Sequence, residues 1–423
     1  MSEAAAYVYV DLEGTTHLVG RLWNHQRQAA ESATFEYDDA WLTNPACFAF
    51  EPALQLGEGA FHTSPGKAMF GAIGDSAPDR WGRVLMRRAE RRRAEIAGRA
   101  PRTLMEIDYL LRVSDESRQG AFRFCEEAGG PFVSDDQNSV PPLIELPRLL
   151  SASERIVDND SEIDEDLRLL LAPGSSLGGA RPKASVRDRN GDLAIAKFPH
   201  KNDDLSAVKW EAVALDLARN AGISVPHARI ELILGKPVLI LRRFDRISSV
   251  RVPFLSAMSM IGARDNEMRS YMEIMDAIRQ HGSDAGADGR ALWKRIVFNI
   301  LISNTDDHLR NHGFLFVGQG GWSLAPAYDM NPVPIDVAQR ELSTAIDLDD
   351  ATASLDLALS VAPYFELDID SAYRTIVQVA AAVGHWRDAA SRLGIAKSEI
   401  DRMSSAFEHE DSRKARAVQN QVK

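Results

Sequence analysis

The stretch that decides the fold is Thr305-Asp306-Asp307-His308-Leu309-Arg310-Asn311, which is followed by a hairpin-like segment and then by Ala327-Tyr328-Asp329. Asp306, Asn311 and Asp329 bring two carboxylates and one amide oxygen into a fixed order along the chain. Hard cations such as Mg²⁺ prefer oxygen ligands of this kind, and a carboxylate beside a hydroxyl group can accept its proton. The spacing therefore predicts that Asp306 is a base and that Asn311 and Asp329 hold a metal ion.

Protein kinases place their catalytic base and two Mg²⁺ ligands in the same order along the chain. A helical run over 292–302 leads into the stretch, and the hairpin folds Asp329 back toward Asp306. The competing interpretation is that the acidic residues and His308 cap the end of a helix and that Asp329 is a turn residue. The ordered hairpin with an Asp beyond it favours phosphoryl transfer.

Two upstream residues fit the same chemistry. Lys197 is a long cation in an otherwise apolar strand over 193–198, and the turn signal Asn190-Gly191 precedes this strand. Glu211 lies in the next predicted helix, over 204–220. Kinases pair such a Lys with a helix Glu so that the Lys reaches the nucleotide phosphates. A surface Lys whose stem covers apolar residues is the alternative.

A glycine-rich loop, Gly174-Ser175-Ser176-Leu177-Gly178-Gly179-Ala180-Arg181-Pro182-Lys183, precedes these elements. Its backbone N–H groups can approach phosphate closely, and Arg181 and Lys183 add positive charge. The loop has neither the kinase GxGxxG spacing nor a Walker A ending. It also matches the G-x-S-x-G motif of serine hydrolases, but that motif needs a helix after the Ser, whereas Pro182 and a strand follow here.

Two histidines, His308 and His312, leave a metal hydrolase as a further alternative. Catalytic zinc sites use three protein ligands. No third ligand stands at a recognisable spacing from this pair in the sequence. The metal hydrolase is therefore the weaker interpretation.

The run Leu239-Ile240-Leu241-Arg242-Arg243-Phe244-Asp245-Arg246 ends the last predicted strand before the helical region. In protein kinases the hinge between the two lobes would lie at this junction. It would offer backbone groups near Arg242 and Phe244 to an adenine edge and place Asp245 at a ribose hydroxyl. The alternative for Phe244 is an ordinary core residue between two lobes.

The pattern of elements predicts an α+β, protein-kinase-like two-lobe fold. Alternating runs at 6–10, 16–22 and 33–37 predict a small antiparallel sheet. The basic run 79–102 predicts a helix whose arginines face solvent, with a surface for DNA or an acidic partner as the alternative. The predicted domains are a β-rich N-terminal subdomain (1–128), an N-lobe with the Gly-rich loop, Lys strand, one helix and hinge (129–246), and a mainly helical C-lobe (247–423). Helices are predicted over 271–280, 292–302, 371–393 and 397–407, with frayed residues after His409.

The composition limits where the protein can act and what it can bind. The start of the sequence lacks the pattern of a signal peptide, and its apolar runs are far shorter than the roughly 18 residues that cross a bilayer. A net charge of −12 argues against broad nucleic-acid binding by the chain itself. Cys47 and Cys125 have no partner at metal-site spacing, which predicts reduced core residues in a cytoplasmic protein.

With these residues placed, the chain resembles the HipA family of bacterial serine/threonine kinases, the toxin partners of HipB-type antitoxins, over nearly its full length. The motifs that carry the resemblance are Thr305-Asp306-x-His308-x-x-Asn311, Tyr328-Asp329, Ser176-Leu177-Gly178-Gly179-Ala180-Arg181-Pro182-Lys183, Ala196-Lys197-Phe198-Pro199, Arg243-Phe244-Asp245-Arg246, Pro78-Asp79-Arg80 and Arg118-Gln119-Gly120-Ala121. The resemblance implies that Asp306 is the base and that Asn311 and Asp329 are metal ligands. It implies nucleotide contacts from Ser176, Gly178, Gly179, Ala180, Lys183, Lys197, Glu211, Arg242, Phe244, Asp245 and His308.

The resemblance further implies ATP- and Mg²⁺-dependent phosphorylation of a protein Ser, in several members on an aminoacyl-tRNA synthetase, which slows growth. It implies that Ser176 is autophosphorylated and acts as a switch, because a phosphate adds about −1.5 to −2 charge beside the ATP phosphates. The implied partner is a helix-turn-helix antitoxin of the HipB type. Operator DNA would be contacted mainly through that antitoxin, and no membrane partner is implied.

Three positions depart from the family pattern. Asp307 stands where Gly is frequent and is expected to add a carboxylate beside the base, which would alter metal affinity or substrate choice. Arg310 replaces a common Lys, and Arg242 replaces a frequent Glu. None of these changes removes a required ligand.

Two other functions are compatible with the same fold. A catalytically weak co-repressor or partner-binding scaffold would keep kinase features without needing them. A small-molecule kinase of the aminoglycoside type would share the Asp and Asn spacing. The complete set of Lys197, Glu211, Asp306, Asn311 and Asp329 favours an active protein kinase over the scaffold.

Overall fold

The computed structural model describes residues 3–28, 30–133, 140–158, 164–171, 179 and 181–421. By its internal contacts the chain forms two compact units. The first comprises Met1–Asn202 and Glu231–Leu255, and the second comprises Asp203–Ile230 and Ser256–Lys423. The predicted three-part division at 128 and 246 stays a prediction.

An antiparallel sheet of five strands opens the first unit, where the alternating sequence predicts one. Val8 and Val10 are buried while Tyr7 and Tyr9 are half-buried, which is the period of two expected of a strand with one covered face. A register shift separates Val8 from Tyr9. The strand order is Ala60–His62, Ala30–Tyr37, Thr15–Arg27, Glu3–Leu12 and Phe122–Cys125.

A second sheet contains the predicted Lys strand. Asn190 and Gly191 form the predicted turn, with Gly191 at φ +84°, a left-handed conformation that suits glycine. Lys197 lies opposite Lys183 on one neighbouring strand and Leu239 on the other. The strand order is Lys183–Arg187, Leu193–Lys197, Lys236–Arg242 and Ala228–Ile233, the last of which begins in the second unit.

Helices cover one face of this second sheet. Leu85, Leu150 and Leu170 pack with Ala196 and Ile240 in a single buried cluster. Full burial of a Leu side chain contributes about 1.5–3 kcal/mol to the free energy of folding relative to an exposed one. The packing of these helices against the sheet therefore stabilises it. The helices of the first unit are Asp39–Leu42, Gly71–Gly74, Arg80–Ile96, Glu106–Leu111, Leu146–Asp158 and Asp164–Leu171, with a 3₁₀ turn at Leu143–Glu145, and its short strands are Arg246–Ile247, Val250–Arg251 and Phe254–Ser256, which ends in the second unit.

The second unit is built around the helix Ala285–Ile302, which is longer than predicted because Asp284 caps it about two turns before the predicted start. Nearly every residue from Leu292 onward is buried, as expected for a helix that is apolar on all sides. The other helices are Ala207–Asn220, Ala257–Met260, Tyr271–His281, Leu355–Val361, Ile369–Val383, Trp386–Arg392, Lys397–Arg402, Ser404–Phe407 and Glu410–Gln421, with 3₁₀ turns at Leu309–Asn311, Gly318–Gly320 and Ala362–Phe365 and strands Gly313–Phe316 and Trp322–Leu324.

Three predictions about the C-terminal helices are wrong. The predicted helix 371–393 is broken at Gly384 into two helices, and the predicted helix 397–407 is divided at Met403. The residues after His409 were predicted to fray, yet they form the helix Glu410–Gln421. Asp411 explains the order of this helix, because its buried carboxylate pairs with Arg340 at 2.8 Å and accepts the N–H of Leu355 at 2.8 Å.

The basic helix Arg80–Ile96 behaves as a charged, solvated element. Arg83 pairs with Glu106 at 2.6 Å, and Glu90 accepts Arg99 at 2.8 Å. The side chains of Arg87, Arg91 and Arg93 are exposed, which supports the solvated-face interpretation.

Cys47 and Cys125 are both free thiols, and Cys125 is buried while Cys47 is half-buried. This agrees with reduced core residues. Within the described ranges, no helix combines the length and apolar character needed to cross a membrane.

Candidate active site

The helix Ala285–Ile302 leads directly into the predicted catalytic loop. It ends at Ser303, which has a left-handed backbone with φ +51°. A non-glycine residue in this region is uncommon and persists where surrounding contacts fix it. The Ser303 hydroxyl donates to the Ala406 carbonyl at 2.9 Å, and the N–H of Asn304 donates to the Asn299 carbonyl at 2.9 Å. These bonds define where the loop begins.

The structure brings Asp306 and Asn311 together in one tight loop. The side chain of Asp306 is exposed, whereas Asn311 is buried. The Asn311 Nδ2 donates to the backbone carbonyl of Asp306 at 2.9 Å, so the amide oxygen is the atom that can bind a cation. His308 is half-buried, its carbonyl accepts the N–H of Asn311 at 2.8 Å, and its ring Nδ1 is buried without a partner among the described residues.

Asp329 lies just beyond the predicted hairpin, whose strands are Gly313–Phe316 and Trp322–Leu324. Asp329 is half-buried and has φ +57°, a strained backbone of the kind that clusters at functional sites. The N–H of Asn331 donates to the side-chain oxygen of Asn304 at 3.2 Å. This bond ties the segment of Asp329 to the start of the catalytic loop.

The carboxylate of Asp307 lies in the core and not beside the exposed carboxylate of Asp306, the predicted base. The expectation of a second carboxylate beside the base is therefore corrected. Its side chain is buried, and its carboxylate accepts hydrogen bonds from Asn299 at 2.7 Å, from His312 Nε2 at 2.8 Å and from the hydroxyl of Tyr271. Sequence reasoning missed Tyr271 and the role of Asn299. The one available signal was Asn299 itself, a polar residue inside the apolar run 296–302.

The surroundings of Asp307 hold it as an anion inside the protein core. Burial alone would raise the pKa of Asp307, but the charge of His312 and hydrogen bonds from His312 and Tyr271 hold that pKa below its usual value. Burial, with the Asp307 charge, raises the pKa of the Tyr271 phenol well above its usual value. Burial lowers the pKa of the nearby Arg295 to about 10, although Asp307 opposes the shift.

Lys197 and Glu211 lie in different compact units, and each is buried. Buried Lys and Glu side chains are rarely without a partner, but the predicted pairing of these two stays a prediction. The helix of Glu211 is anchored within its own unit by the preceding residue: Trp210 Nε1 donates to the Glu399 carboxylate at 2.9 Å.

The glycine-rich loop falls largely outside the described residues, and so do Ser176, Gly178 and Ala180. Gly179 is described, and its carbonyl accepts the N–H of Trp81 at 3.4 Å. Lys183 was predicted to contact nucleotide, but its ammonium is buried against Asp79 at 2.8 Å. Asp79 also caps the helix Arg80–Ile96, so Lys183 makes a structural contact, and its contact with nucleotide stays a prediction.

The predicted hinge separates into exposed and buried residues. Arg242 is exposed and pairs with Asp192 at 2.8 Å, and Phe244 is half-buried against Phe254. Asp245 is only 2% exposed, and its carboxylate is enclosed by Arg243, Arg246 and the N–H of Gly120. These bonds give Asp245 a structural role, and its contact with a ribose hydroxyl stays a prediction.

Comparison with known proteins decides the family. The model of the HipA-like C-terminal domain matches residues 175–411, more than half of the chain. The chain belongs to this HipA-like family. The match includes the catalytic loop, Asp329, Lys197 and Glu211, so the resemblance predicted from those motifs is confirmed at the level of the family.

Individual relatives agree with this assignment. A Haemophilus influenzae protein named as a candidate kinase is 24% identical over 188 residues, covering 38% of this chain and 54% of that protein. The candidate kinase Y4mE of Sinorhizobium fredii is 23% identical over 181 residues, covering 37% of this chain and 41% of that protein. The matched region thus spans about half the length of these curated relatives.

A solved structure extends the likeness to the whole fold. HipA of Shewanella oneidensis MR-1, solved as a complex with HipB and operator DNA, matches with a TM-score of 0.67 and 16% identity over 98% of this chain and 97% of that one. The predicted α+β, kinase-like fold is confirmed.

Proposed function

We propose that this HipA-like protein is an ATP- and Mg²⁺-dependent serine/threonine protein kinase that acts as the toxin of a toxin–antitoxin pair. The observation that carries the proposal is the loop in which the exposed Asp306 carboxylate stands beside Asn311, whose amide nitrogen is bonded to the Asp306 carbonyl at 2.9 Å. An exposed base next to an oriented amide oxygen is what hydroxyl phosphorylation requires.

Asp306 is assigned as the base. As the serine oxygen forms its bond to the γ-phosphorus, the bond from that phosphorus to the bridging oxygen of ADP breaks, and the hydroxyl proton passes to the Asp306 carboxylate. Asn311 and Asp329 are the candidate metal ligands. Bound Mg²⁺ would neutralise charge on the β- and γ-phosphates.

The donor set of the second unit fits Mg²⁺ bound together with a nucleotide. No cluster of three or more His, Cys, Asp or Glu within the described ranges could hold a metal ion by itself. Mg²⁺ is usually held by one or two protein oxygens with substrate phosphates completing its shell. Two ligands, Asn311 and Asp329, are therefore enough. The same observation argues against the metal hydrolase.

Nucleotide binding is assigned to the remaining motifs. Lys197, oriented by Glu211, would contact the phosphates, and the backbone near Arg242 and Phe244 would meet adenine. Ser176, Gly178, Gly179 and Ala180 would cover the phosphates, and autophosphorylation at Ser176 would oppose ATP binding by adding negative charge. His308 would contact the nucleotide, and its ring Nδ1 has no hydrogen-bond partner among the described residues.

The proposed partners follow from the structural neighbour, which was solved with HipB and operator DNA. A helix-turn-helix antitoxin of the HipB type would bind this chain and contact operator DNA. The proposed substrate is a cytoplasmic protein, with an aminoacyl-tRNA synthetase as the first candidate. Its phosphorylation would slow the growth of the cell.

Labelling with γ-phosphate-tagged ATP and Mg²⁺ tests the proposal. Purified protein should label itself and one protein in a cell extract, and Asp306→Asn should abolish both signals. Asp356→Asn is the matched control, because that carboxylate is 70% exposed and pairs with surface Lys414, so its loss should leave labelling unchanged. Wild-type protein that neither binds nor turns over ATP would refute the kinase. Label on a metabolite would favour a small-molecule kinase, and growth arrest that persists in Asp329→Ala would favour a scaffold.

A further inference from the structure

The buried carboxylate of Asp307 bridges the two ends of the candidate catalytic loop. Asp307 follows the proposed base directly, and His312 follows the proposed metal ligand Asn311 directly. Their side chains meet at 2.8 Å, and both are buried, at 3% and 2% exposed. Because an ionised carboxylate only accepts hydrogen bonds, His312 Nε2 is the donor.

A second bond joins the neighbouring residues. Asn311 Nδ2 donates to the Asp306 backbone carbonyl at 2.9 Å. His312 donates to the Asp307 carboxylate one residue further along at each position. The loop is thus closed twice, once by the residues assigned to chemistry and once by the residues next to them.

The same carboxylate is connected to the segment of Asp329 by three hydrogen bonds in series. Asn299 Nδ2 donates to Asp307 at 2.7 Å, Asn304 Nδ2 donates to the Asn299 side-chain oxygen at 3.1 Å, and the N–H of Asn331 donates to the Asn304 side-chain oxygen at 3.2 Å. Asn299 and Asn304 are buried, so water does not compete well for these bonds. We call this series the Asn relay.

We propose that Asp307 is a positioning residue whose carboxylate, through His312 and the Asn relay, fixes the relative positions of Asp306, Asn311 and Asp329. The proposal rests on the proposed function for its catalytic consequence. A carboxylate is suited to this place because it accepts several donors at one point, whereas an amide would turn an N–H group toward some of the same donors.

Two substitutions separate positioning from simple stability. Asp307→Asn keeps the size of the side chain and removes the charge. Thr344→Val is the control, because the Thr344 hydroxyl donates at 2.7 Å to the backbone carbonyl of Asp307, is fully buried, and has no bond to the Asn relay. Both variants lose a buried hydrogen bond at residue 307, but only Asp307→Asn changes the carboxylate.

The activity assay is steady-state phosphorylation at a temperature where each variant is folded. Asp307→Asn should lower kcat by about 10- to 100-fold and raise the Mg²⁺ concentration at half-maximal rate, with KM for ATP changed by less than about threefold, since small displacements of reacting groups cost this much. Thr344→Val should keep kcat within about twofold. His312→Gln, which retains a donor, should be more active than His312→Phe. Equal kcat losses in Asp307→Asn and Thr344→Val would overturn the proposal.

Hydrogen exchange of the full-length protein tests positioning without any reaction. Asp307→Asn should speed amide exchange both in 304–312 and in 329–333, whereas Thr344→Val should leave 329–333 unchanged. Faster exchange confined to 304–312 would overturn the proposal. If wild-type protein fails to transfer phosphate, the proposed function falls, while the exchange result still decides whether Asp307 holds the Asp329 segment in place.

Discussion

Replacing Asp245 by Asn should destabilise the first unit far more than replacing Asp192, although both carboxylates pair with adjacent arginines of the predicted hinge. Asp245 is 2% exposed, and it accepts hydrogen bonds from Arg243 at 2.5 and 2.8 Å and from Arg246 at 2.9 Å. The Asp192 carboxylate pairs with Arg242 at 2.8 Å, where the two side chains are 24% and 50% exposed. The two sites differ chiefly in burial.

Burial sets the expected magnitudes. Breaking a buried ion pair costs about 3–5 kcal/mol, because the remaining charge is left without compensation. Asp245→Asn leaves the guanidinium groups of Arg243 and Arg246 in that position, but its amide oxygen can still accept the N–H of Gly120, which Asp245 accepts at 2.8 Å. We therefore expect about 3 kcal/mol for Asn and about 5 kcal/mol for Ala. An exposed pair such as Arg242 with Asp192 contributes about 0–1 kcal/mol.

Hydrogen exchange measured by mass spectrometry localises the loss. In Asp245→Asn, peptides covering 116–124 and 238–252 should exchange about 100-fold faster, the factor that corresponds to about 3 kcal/mol of local opening free energy. In Asp192→Asn the same peptides should change by less than about fivefold. Similar changes in the two variants, or protection retained in Asp245→Ala, would refute the reasoning that burial decides the contribution of these pairs.

Two further predictions concern the C-terminal helix Glu410–Gln421. Asp411→Asn should lower the free energy of unfolding by about 3 kcal/mol in urea titrations. Asp356→Asn, which removes the exposed partner of Lys414, should lower it by less than about 1 kcal/mol. Comparable losses in the two variants would contradict the assigned burial of Asp411. Burial and the charge of Arg340 lower the pKa of His409 to about 4. The unfolded chain therefore binds this proton first, and stability should fall by up to about 3 kcal/mol as pH drops from about 6.5 to 4. His409→Gln should flatten this slope, and an unchanged slope in the variant would assign the effect to other groups.

The elements of the fold could be predicted because their signals are local. The turn at Asn190-Gly191 and the apolar alternation on either side give strands within a residue of those observed. Asp306, Asn311 and Asp329 could be singled out as candidates for the same reason, since one loop and one hairpin fix their order. The broken helix at Gly384 shows the limit: the pattern continues through the break, and packing of the two halves decides it.

The roles of several charged residues could not be predicted because their partners are distant in sequence. Lys183 binds Asp79, 104 residues earlier, and Asp245 binds the N–H of Gly120, 125 residues earlier. Arg340 and Asp411 are 71 residues apart. A motif states which residue types stand together, but it carries no information about which distant segment neutralises each charge.

The dipeptide Asp306-Asp307 contains one residue of each kind. Asp306 has a local sequence signal, and Asp307 is a charged residue whose partners the motif does not reveal. Asp306 lies in a turn with its side chain exposed, whereas the side chain of the next residue, Asp307, is buried. The exposed carboxylate faces solvent, from which a hydroxyl can approach, whereas the buried one accepts hydrogen bonds from Asn299, His312 and Tyr271. A loop that must hold a reactive carboxylate still against solvent gains from an adjacent residue bonded to the protein interior. The additional Asp in the motif is therefore better understood as part of the support of the site than as part of its chemistry.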